Sequence, residues 1–594
     1  MNPYDYYTNR QEEKEEELSS LEKKSTWISR LRLFIFLLIV GLIYAALKWS
    51  FLSWGLWVII ALVLLFLWFI YYHIGLKKLI ARVKAHIDLN REEVERLSGC
   101  WSPVYGGEDL MPEHHGYARD LDVFGDFSLF EHVNRSPLVR SRQVLAERLL
   151  SPADITDLQH LTSAYKALSL DIEWCQQWIV ATRLSSDKMD NSQEIADWMS
   201  SESFKLPMWL KIISWVSPIF FICLTIGVAL NLIHYSVLVY LFVFNLIISG
   251  LVAKKLGKVY QLLNDKSQVI SEWVNLFYLL AKKKWADPIM SGHLDRHTIQ
   301  EHTIPRLKQL LRFIELLDAK NNILVSVGLN GLLFYDVHLY TALERWKGKH
   351  SNLAKDILHS IADIDVNVAF GVFTFNRPDW VFPSISENFA INAKGLGHPL
   401  LNASDSIKSD MDIDGFGRMH IITGSNMSGK STWLRTVGLN LVLANAGAPV
   451  CAHSFQYRPI DIVCSMRISD NLAKGESTFY VELKRLKNIL NRLQDGDRLF
   501  VILDEILRGT NSKDKLIGSK AFVSQILQYN AAGMVATHDL ELGELENDYP
   551  SQIQNFSFEV EIKDQQFMFD YKIKHGICKT LNASELMQKM GIKI

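Results

Sequence analysis

The chain has 594 residues, which is too long for one compact domain and predicts two or more. Hydrophobic residues make up 48% and charged residues 22%, a composition that excludes a disordered chain and suits globular domains with some membrane content. The formal net charge of −2 gives no sign of bulk nucleic-acid binding, although a neutral total is compatible with a local basic face. The six cysteines are scattered without a CxxC pair, which predicts reduced thiols in a cytosolic context and no metal site.

The N-terminal region of the chain combines a polar tail with strongly apolar segments. Residues 1–28 include “QEEKEEE”, which has the wrong charge for the start of a signal peptide. Four apolar segments then occur in two pairs, 33–47 with 51–72 and 212–233 with 236–253. The first is marginal for crossing about 30 Å of hydrocarbon, and the other three are long enough or nearly so. Amphipathic periodicity is missing, which disfavours the alternative of buried core helices.

Basic residues indicate how the two pairs would lie in a membrane. They precede and follow each pair, whereas the short connections hold only Lys48 and His234. By the positive-inside rule, both hairpins should enter from the cytoplasm and return to it. We therefore expect a multi-pass protein of the inner or cell membrane, with about four transmembrane helices and every other domain cytoplasmic. No ionisable residue lies deep in these segments, so they predict an anchor and not a transport path.

The stretch “IITGSNMSGKSTWLR” (421–435) fits the pattern G-x-x-x-x-G-K-[ST]. In this pattern backbone N–H groups surround phosphates, the lysine reaches the β and γ oxygens, and the hydroxyl ligates Mg²⁺. A buried strand, “MHII”, is predicted before the loop, and a helix, “STWLRTVGLNLVLANAG”, after it. The sequence thus predicts an ATP-binding loop that consists of Gly424, Ser425, Asn426, Met427, Ser428, Gly429, Lys430, Ser431 and Thr432.

Two further apolar strands end in residues that suit nucleotide chemistry. “RLFVILDEILRG” (498–509) ends its strand in Asp504, which would hold Mg²⁺ together with Ser431, and Glu505, which would activate the attacking water. The alternative is a buried strand that merely ends in acids, and the phosphate loop upstream disfavours it. “GMVATHD” (533–539) ends in His538, which could sense the γ-phosphate, although a lone histidine at a strand end is usually a surface residue. The predicted catalytic residues are Glu505, Lys430 and His538.

Five motifs in order resemble the MutS family of ATPases. They are “LGHPLL” (396–401), the phosphate loop with its helix, “MRISDNLAKGESTFYVELKRL” (466–486), “LFVILDEILRGTNSKDK” (499–515) and “ATHDLELGELE” (536–546). The resemblance implies that the ATPase domains form a homodimer in which a segment of one subunit approaches the partner's nucleotide. The residues implied in this trans contact are Gly475, Glu476, Ser477 and Thr478, with Phe479 in a packing role.

Upstream, residues 120–152 and 359–383 resemble the beginning and end of the family's helical core domain, so the resemblance covers about 120–594. Residues 1–115 leave no room for the family's mismatch-reading domain, and we take the F-x-E sequence at Phe313 as core. We expect no nuclease domain after the ATPase, and no DNA-clamping insertion is evident.

The phosphate loop also departs from the family pattern, as does the end of 499–515, which resembles the family's dimer loop. The departures are Ser425 and Ser428 in the phosphate loop, Leu507 and Asn511 in the dimer loop, and Asp539 after the histidine. None removes a phosphate or Mg²⁺ ligand, so ATP binding is expected to survive.

The expected fold class is multidomain, α plus α/β, with transmembrane helical hairpins, an all-α core and lever domain, and a P-loop, ABC-like (MutS-type) α/β ATPase domain. The expected domains are a cytoplasmic polar tail (1–28), a first transmembrane hairpin (29–76), a linking helix (77–115), the first segment of the helical core (116–208), a second transmembrane hairpin (209–253), the second segment of the helical core with the lever (254–385) and the ATPase domain (386–594).

By this resemblance the expected function is that of a membrane-anchored, Mg²⁺-dependent ATP hydrolase. It would turn over ATP at a dimer interface and bind mismatched, branched or distorted DNA, in or near repair or recombination. The alternative is a membrane-bound, ATP-driven scaffold or signalling switch that no longer binds DNA. The neutral charge and missing reader domain favour the alternative, and the retained core favours DNA. An ABC transporter is disfavoured for two reasons. “NLAKGESTF” does not resemble LSGGQ, the signature sequence of those transporters, and the four polar-poor spans offer no evident route for a transported substrate.

Overall fold

The computed structural model of the chain describes most of the sequence. The described residues are 2–48, 53–100, 102–189, 192–202, 206–282, 299–318, 323–402, 405–425, 427–467, 478–563 and 566–578.

The described residues as far as 375 are mostly helical. The helices in chain order are α1 (Pro3–Lys48), α2 (Ser53–Ser98), α3 (Leu129–Val133), α4 (Val139–Leu150), α5 (Ile155–Ser169), α6 (Ile172–Met189), α7 (Gln193–Ser200), α8 (Met208–Ala229), α9 (Ser236–Asp265), α10 (Ser267–Lys282), α11 (Ile304–Asp318), α12 (Ile323–Leu333), α13 (Tyr335–Lys349) and α14 (Leu353–Phe375). Short 3₁₀ and π turns lie at Glu108–Leu110 and Ile299–Thr303.

Helices α1 and α2 form one long antiparallel pair. Glu22 pairs with Lys84 at 2.9 Å, and the guanidinium of Arg32 lies over the ring of Phe66. The polar tail and the first apolar segment therefore belong to one continuous helix, and the expected domain limits at 28 and 76 fall inside helices. The apolar halves of both helices expose most of their large side chains, whereas the polar halves dock on the core.

Helices α8 and α9 form a second pair, which α12 joins. Five helices of the described chain are long and apolar enough to cross a membrane, or six if the bent pair α12 and α13 counts as one, on length and composition alone. One of the five, α14, has 72% of its apolar window buried inside the protein and is therefore a core helix. The other four are the helices that carry the predicted apolar segments, α1, α2, α8 and α9.

The helical core surrounds α14. Every residue of α14 from Ile364 to Phe373 is buried, because helices α4, α5, α6 and α7 pack around it and leave residues such as Phe370 and Phe373 almost without solvent contact. Phe313 lies in α11, where it is partly buried against the ring of Trp346. It is thus a packing residue, as predicted.

The chain after 380 is an α/β region with two sheets. A four-stranded sheet has the order β1-β5-β2-β3, and a six-stranded sheet has the order β10-β9-β4-β8-β7-β6. The strands are β1 (Ser384–Ile385), β2 (Ala390–Leu396), β3 (Ser409–Asp414), β4 (Met419–Gly424), β5 (Ser454–Tyr457), β6 (Asp461–Ser465), β7 (Leu499–Asp504), β8 (Ala532–Thr537), β9 (Ile553–Lys563) and β10 (Gln566–His575). The helices are α15 (Lys430–Asn445), α16 (Thr478–Gln494), α17 (Ser512–Gln528) and α18 (Leu545–Asp548), with a 3₁₀ turn at Leu540–Glu544.

The larger sheet is parallel from β9 to β6, and only β10 runs antiparallel to its neighbour. Strands β4, β7 and β8 are buried along their whole length, as expected of central strands whose two faces are both covered. The strand, loop and helix predicted around residues 419–445 are present in that order. The chain as a whole is mostly helical, with its sheets near the C-terminus.

Candidate functional site

Three neighbouring strands of the larger sheet, β4, β8 and β7, end at the same edge. Ligands of open α/β sheets bind at such an edge, beyond the carboxyl ends of the strands. The loop from Gly424 follows β4, His538 follows β8, and Asp504 closes β7 with Glu505 behind it. A cleft of about 470 Å³ opens there, and Met427 to Thr432 and Glu505 are among its lining residues. The structure therefore brings together residues that the sequence analysis took from three separate motifs.

The loop between β4 and α15 depends on two glycines. Gly429 has a φ of 105°, a left-handed conformation that glycine adopts without strain. At Gly424, a β-carbon would lie 2.8 Å from the carbonyl oxygen of Phe558, so this position has no room for a side chain. Helix α15 begins directly after the loop, and its first N–H groups lack intrahelical partners. This geometry suits an anion at the mouth of the helix.

The side chain of Lys430 folds back over the loop. Its ammonium group donates hydrogen bonds of 2.8 Å to the carbonyl oxygens of Gly424 and Ser425. Burial lowers the pKa of Lys430, and the nearby carboxylates of Glu505 and Asp504 oppose this shift. The lysine is thus a buried cation that a phosphate could engage by replacing two neutral carbonyl partners.

Two buried oxygen atoms, one in the lining of the cleft and one on the residue that precedes Glu505, have no hydrogen-bond partner among the residues that the structure describes. They are the Oγ atom of Ser428 and the Oδ1 atom of Asp504. Buried polar atoms are normally satisfied, so unsatisfied ones at a cleft indicate a site that a ligand completes. The free Asp504 oxygen, with the hydroxyl of Ser431 in the first turn of α15, offers the hard oxygen ligands that Mg²⁺ prefers. The residues present therefore fit a Mg²⁺-nucleotide.

Glu505 and His538 form a pair beside the cleft. The Nδ1 atom of His538 lies 3.2 Å from the Oε1 atom of Glu505, and its Nε2 atom lies 3.5 Å from the ammonium of Lys515. Burial raises the pKa of Glu505, but the hydrogen bond from His538 and nearby positive charges outweigh burial, so the net pKa is lowered. Glu505 is therefore held as a carboxylate, the form that can accept a proton or orient a water molecule.

Sequence reasoning did not single out Arg508 or Glu482. The guanidinium of Arg508 donates 3.0 Å hydrogen bonds to the backbone oxygens of Asp504 and Glu505. The buried carboxylate of Glu482, on α16, accepts hydrogen bonds from the backbone N–H groups of Leu507 and Arg508. Arg508 follows Asp504 by four residues and Glu505 by three, a spacing that is visible in the sequence. The role of Glu482 depends on a tertiary contact that no local pattern predicts.

Two aspartates of the helical region contact the α/β region close to this site. Asp120 lies 3.0 Å from the guanidinium of Arg485 on α16, and Asp122 lies 2.5 Å from that of Arg467. Arg435, on α15, lies 3.6 Å from Asp122. A movement of α15 or α16 would therefore displace these aspartates, and with them the adjoining part of the helical region.

Some predicted site residues lie outside the described residues of the chain. Asn426, Gly475, Glu476 and Ser477 are among them, and the side chain of Thr478 at the start of α16 is not described either. Their predicted contact with a partner's nucleotide stays a prediction. Phe479 is described, and it packs against Gly509, as expected for a packing residue.

The α/β region also matches known proteins. Residues 420–590 match the family model described as MutS domain V. In this region the chain is therefore similar to the MutS family. The match contains the phosphate loop, both acidic residues and His538.

Several curated relatives carry the same name, “DNA mismatch repair protein MutS”. The protein from Thermotoga maritima is 32% identical over 249 residues, which cover 41% of this chain and 30% of that protein. The protein from Ehrlichia chaffeensis is 36% identical over 221 residues (37% and 27%), and that from Chlorobium phaeovibrioides is 29% identical over 326 residues (53% and 36%). The chain thus spans about a third of the length of the MutS proteins it matches.

Proposed function

We propose that the chain is a membrane-anchored MutS-like ATPase that binds and hydrolyses Mg²⁺-ATP between two copies of its α/β domain. One observation carries the proposal. Lys430 and Glu505, from two separate motifs, line one cleft, and His538, from a third, pairs with Glu505 at 3.2 Å, while Asp504 directly precedes Glu505 at the end of β7. The similarity of residues 420–590 to MutS domain V supports the same interpretation.

In the proposed reaction each residue has a distinct task. Lys430 exchanges its two carbonyl partners for phosphate oxygens, while the N–H groups at the start of α15 bind the same anion. Mg²⁺, held by Ser431 and Asp504, would neutralise charge that develops on the phosphates. Glu505 orients the attacking water, and His538 keeps its carboxylate in place.

The proposed dimer links nucleotide state to the helical core. Residues 475–478 would approach the partner's nucleotide, and they follow Arg467 and precede Arg485 in the chain. Both arginines pair with aspartates of the helical region, so closure of the dimer around ATP would be transmitted to it.

We further propose that α1 with α2, and α8 with α9, anchor the protein in the inner or cell membrane. Their apolar halves expose large side chains that a water-soluble surface rarely carries in such number. Examples are Leu64, Trp68, Ile219, Phe220 and Ile247, which are all more than half exposed. With the flanking lysines and arginines on the cytoplasmic side, the core and ATPase domains are cytoplasmic.

The proposed substrate of the core is DNA, mismatched, branched or otherwise distorted. The curated relatives named for DNA mismatch repair support it, whereas the net charge of −2 favours the alternative of a scaffold or switch without DNA. The test is binding of plain, mismatched and branched duplexes to the detergent-solubilised protein, with and without ATP, across a salt series. Steep salt dependence and a response to nucleotide support DNA handling. Negligible binding in every state, together with normal ATP turnover, overturns the DNA role and leaves the switch.

A further inference from the structure

Helix α12 exposes an apolar surface that neither predicted hairpin includes. The chain bends by 85° between α12 and α13, at Phe334, which has a left-handed φ of 51°. Ile323 and Leu324 at the start of α12 are 75% and 81% exposed. The exposed apolar side chains of this helix are Ile323, Leu324, Val325, Val327, Leu332 and Leu333.

Three contacts give the depth of this segment relative to α8 and α9. Before α12, Asp318 accepts a 2.6 Å hydrogen bond from Tyr260, which lies on α9 beyond three lysines at the proposed cytoplasmic boundary. At the end of α12, Gly331 meets Phe242 and Asn245, near the middle of the apolar run 236–253.

After the bend, the ammonium group of Lys347, near the end of α13, donates a 2.8 Å hydrogen bond to Ser201, which precedes α8 on the proposed cytoplasmic side. The chain therefore goes from the cytoplasmic boundary to the middle of the apolar layer and back to the same side.

The broken backbone at the bend has side-chain partners on both sides. The carbonyl oxygen of Gly331 loses its helical partner where α12 ends, and the buried amide of Asn245 donates a 2.8 Å hydrogen bond to it. Asn245 in turn accepts a 2.8 Å hydrogen bond from Ser217 of α8. Beyond the bend, the first turn of α13 is capped by Asn330, whose side chain accepts from the N–H of Asp336 at 2.9 Å. Irregular backbone at membrane depth requires such partners.

We propose that Ile323–Leu333 is a re-entrant half-helix, embedded in the cytoplasmic leaflet against α9, with lipid acyl chains covering its exposed face. The inference rests on the proposed anchoring by α8 and α9. The exposed apolar face of α12 is continuous with the exposed apolar surface of those helices, so the same lipid would cover both. A half-helix of this length cannot cross the bilayer, since about 20 apolar residues are needed. Such a half-helix adds apolar volume to the cytoplasmic leaflet alone.

The test uses an environment-sensitive fluorescent amino acid at single positions of the full chain in lipid nanodiscs. The probe replaces Leu324, with Ile247 on α9 and Leu170 after α5 as the lipid and water references. Quenching by doxyl-labelled lipid and by aqueous iodide is measured for each. The proposal predicts that Leu324 behaves like Ile247, quenched by lipid and protected from iodide, while Leu170 shows the reverse.

The references separate the two proposals. Iodide quenching of both Ile247 and Leu324 overturns the anchoring itself. Lipid quenching of Ile247 with iodide quenching of Leu324 overturns the half-helix alone. Protection of Leu324 from both quenchers means that protein covers it, as in a second copy, and also overturns the proposal.

A second variant tests the role of Asn245. Asn245→Leu removes the donor to Gly331, so α12 should leave its position and lipid quenching at Leu324 should fall by about two-fold or more. Thr225→Val on α8 is the control, because the hydroxyl group of Thr225 is exposed and donates to the backbone oxygen of Phe221 in its own helix. Unchanged quenching in Asn245→Leu would show that this hydrogen bond does not position the segment.

Discussion

The hydroxyl group of Tyr7 donates a 2.9 Å hydrogen bond to the side chain of Asn376, 369 positions further along the chain. Tyr7 is fully buried near the start of α1, and Asn376 directly follows α14, where the chain leaves the helical core. The amide of Asn376 donates in turn to Glu93 at 2.7 Å, and Glu93 pairs with the buried Arg135. The polar ends of α1 and α2 are thus hydrogen-bonded to the residue that follows α14, at the end of the helical core.

We expect Tyr7→Phe to destabilise the protein by about 1–3 kcal/mol, because Asn376 keeps a buried oxygen atom without a donor. The measurement is thermal unfolding of the detergent-solubilised protein. Tyr4→Phe is the matched control, since Tyr4 is exposed on the same helix. Equal unfolding midpoints for both variants would mean that the buried hydrogen bond contributes nothing.

Lys430→Ala should abolish ATP binding, because it removes the cation that binds the phosphates. Glu505→Gln should leave ATP bound and slow hydrolysis by about 10²–10³-fold, because it removes the carboxylate that orients the attacking water. Nucleotide binding and phosphate release are measured separately. Lys520→Ala is the control for charge, because Lys520 pairs with Glu544 away from the cleft. Normal turnover in either site variant would refute the assignment of these residues.

Ser428→Ala should weaken ATP binding by about three- to ten-fold, the value of one neutral hydrogen bond, because its buried hydroxyl oxygen lies at the cleft without a protein partner among the described residues. Ser512→Ala, an exposed serine at the start of α17, provides the comparison. An unchanged dissociation constant for the Ser428 variant would show that this hydroxyl group does not contact ATP.

Glu482→Gln should loosen the loop after β7. An amide group can supply only one acceptor where the carboxylate serves two N–H groups, so a loss of about 1–3 kcal/mol is expected. Hydrogen exchange of residues 505–510 should become faster, and ATP turnover should fall. Lys487→Ala on the exposed face of α16 should change neither. Exchange as slow as in the unaltered protein would contradict the capping role.

Acidification should destabilise the protein through His132. Burial, with the positive charge of Arg377, lowers the pKa of this histidine to about 3. Because an unfolded histidine has a pKa of about 6.5, the unfolded state binds more protons below that pH and stability is lost as pH falls. At pH 5 the loss from this group is about 2 kcal/mol relative to neutral pH.

The variant His132→Gln should flatten that dependence. The measurement is the unfolding midpoint between pH 7.5 and pH 5, for both proteins. His160→Gln serves as the control, because His160 is exposed on α5. The same slope in His132→Gln as in the unaltered chain would exclude His132 as the group responsible.

The sequence predicts most of the cleft because its residues lie in continuous motifs. A phosphate loop needs glycines and a lysine at fixed spacing, and buried parallel strands that end in Asp504 or before His538 are apolar runs of recognisable length. In the folded sheet β4, β8 and β7 are neighbours, and this strand order brings the three motifs together at one edge.

Other features arise from contacts between distant regions of the chain. Glu482 has the same local setting as an exposed helical acid until α16 packs beside the loop at Leu507. Tyr7 lies in a polar stretch that is typical of a tail, and only its fit against Asn376 makes it core. Helix α12 is too short to span a membrane and too apolar for a surface loop. Its role can be inferred only from its position beside α9, which the sequence does not give.

The continuity of α1 sets a distance. The helix runs without a break from Pro3 to Lys48, about 69 Å, and the stretch from Tyr7 to the first apolar residues near 33 measures about 39 Å. For a chain anchored as proposed, this stretch acts as a ruler between the bilayer surface and the helical core. Inserting one residue would both lengthen the ruler and rotate the core by about 100° relative to the bilayer, so the length of this polar stretch fixes the height and the facing of whatever the core grips.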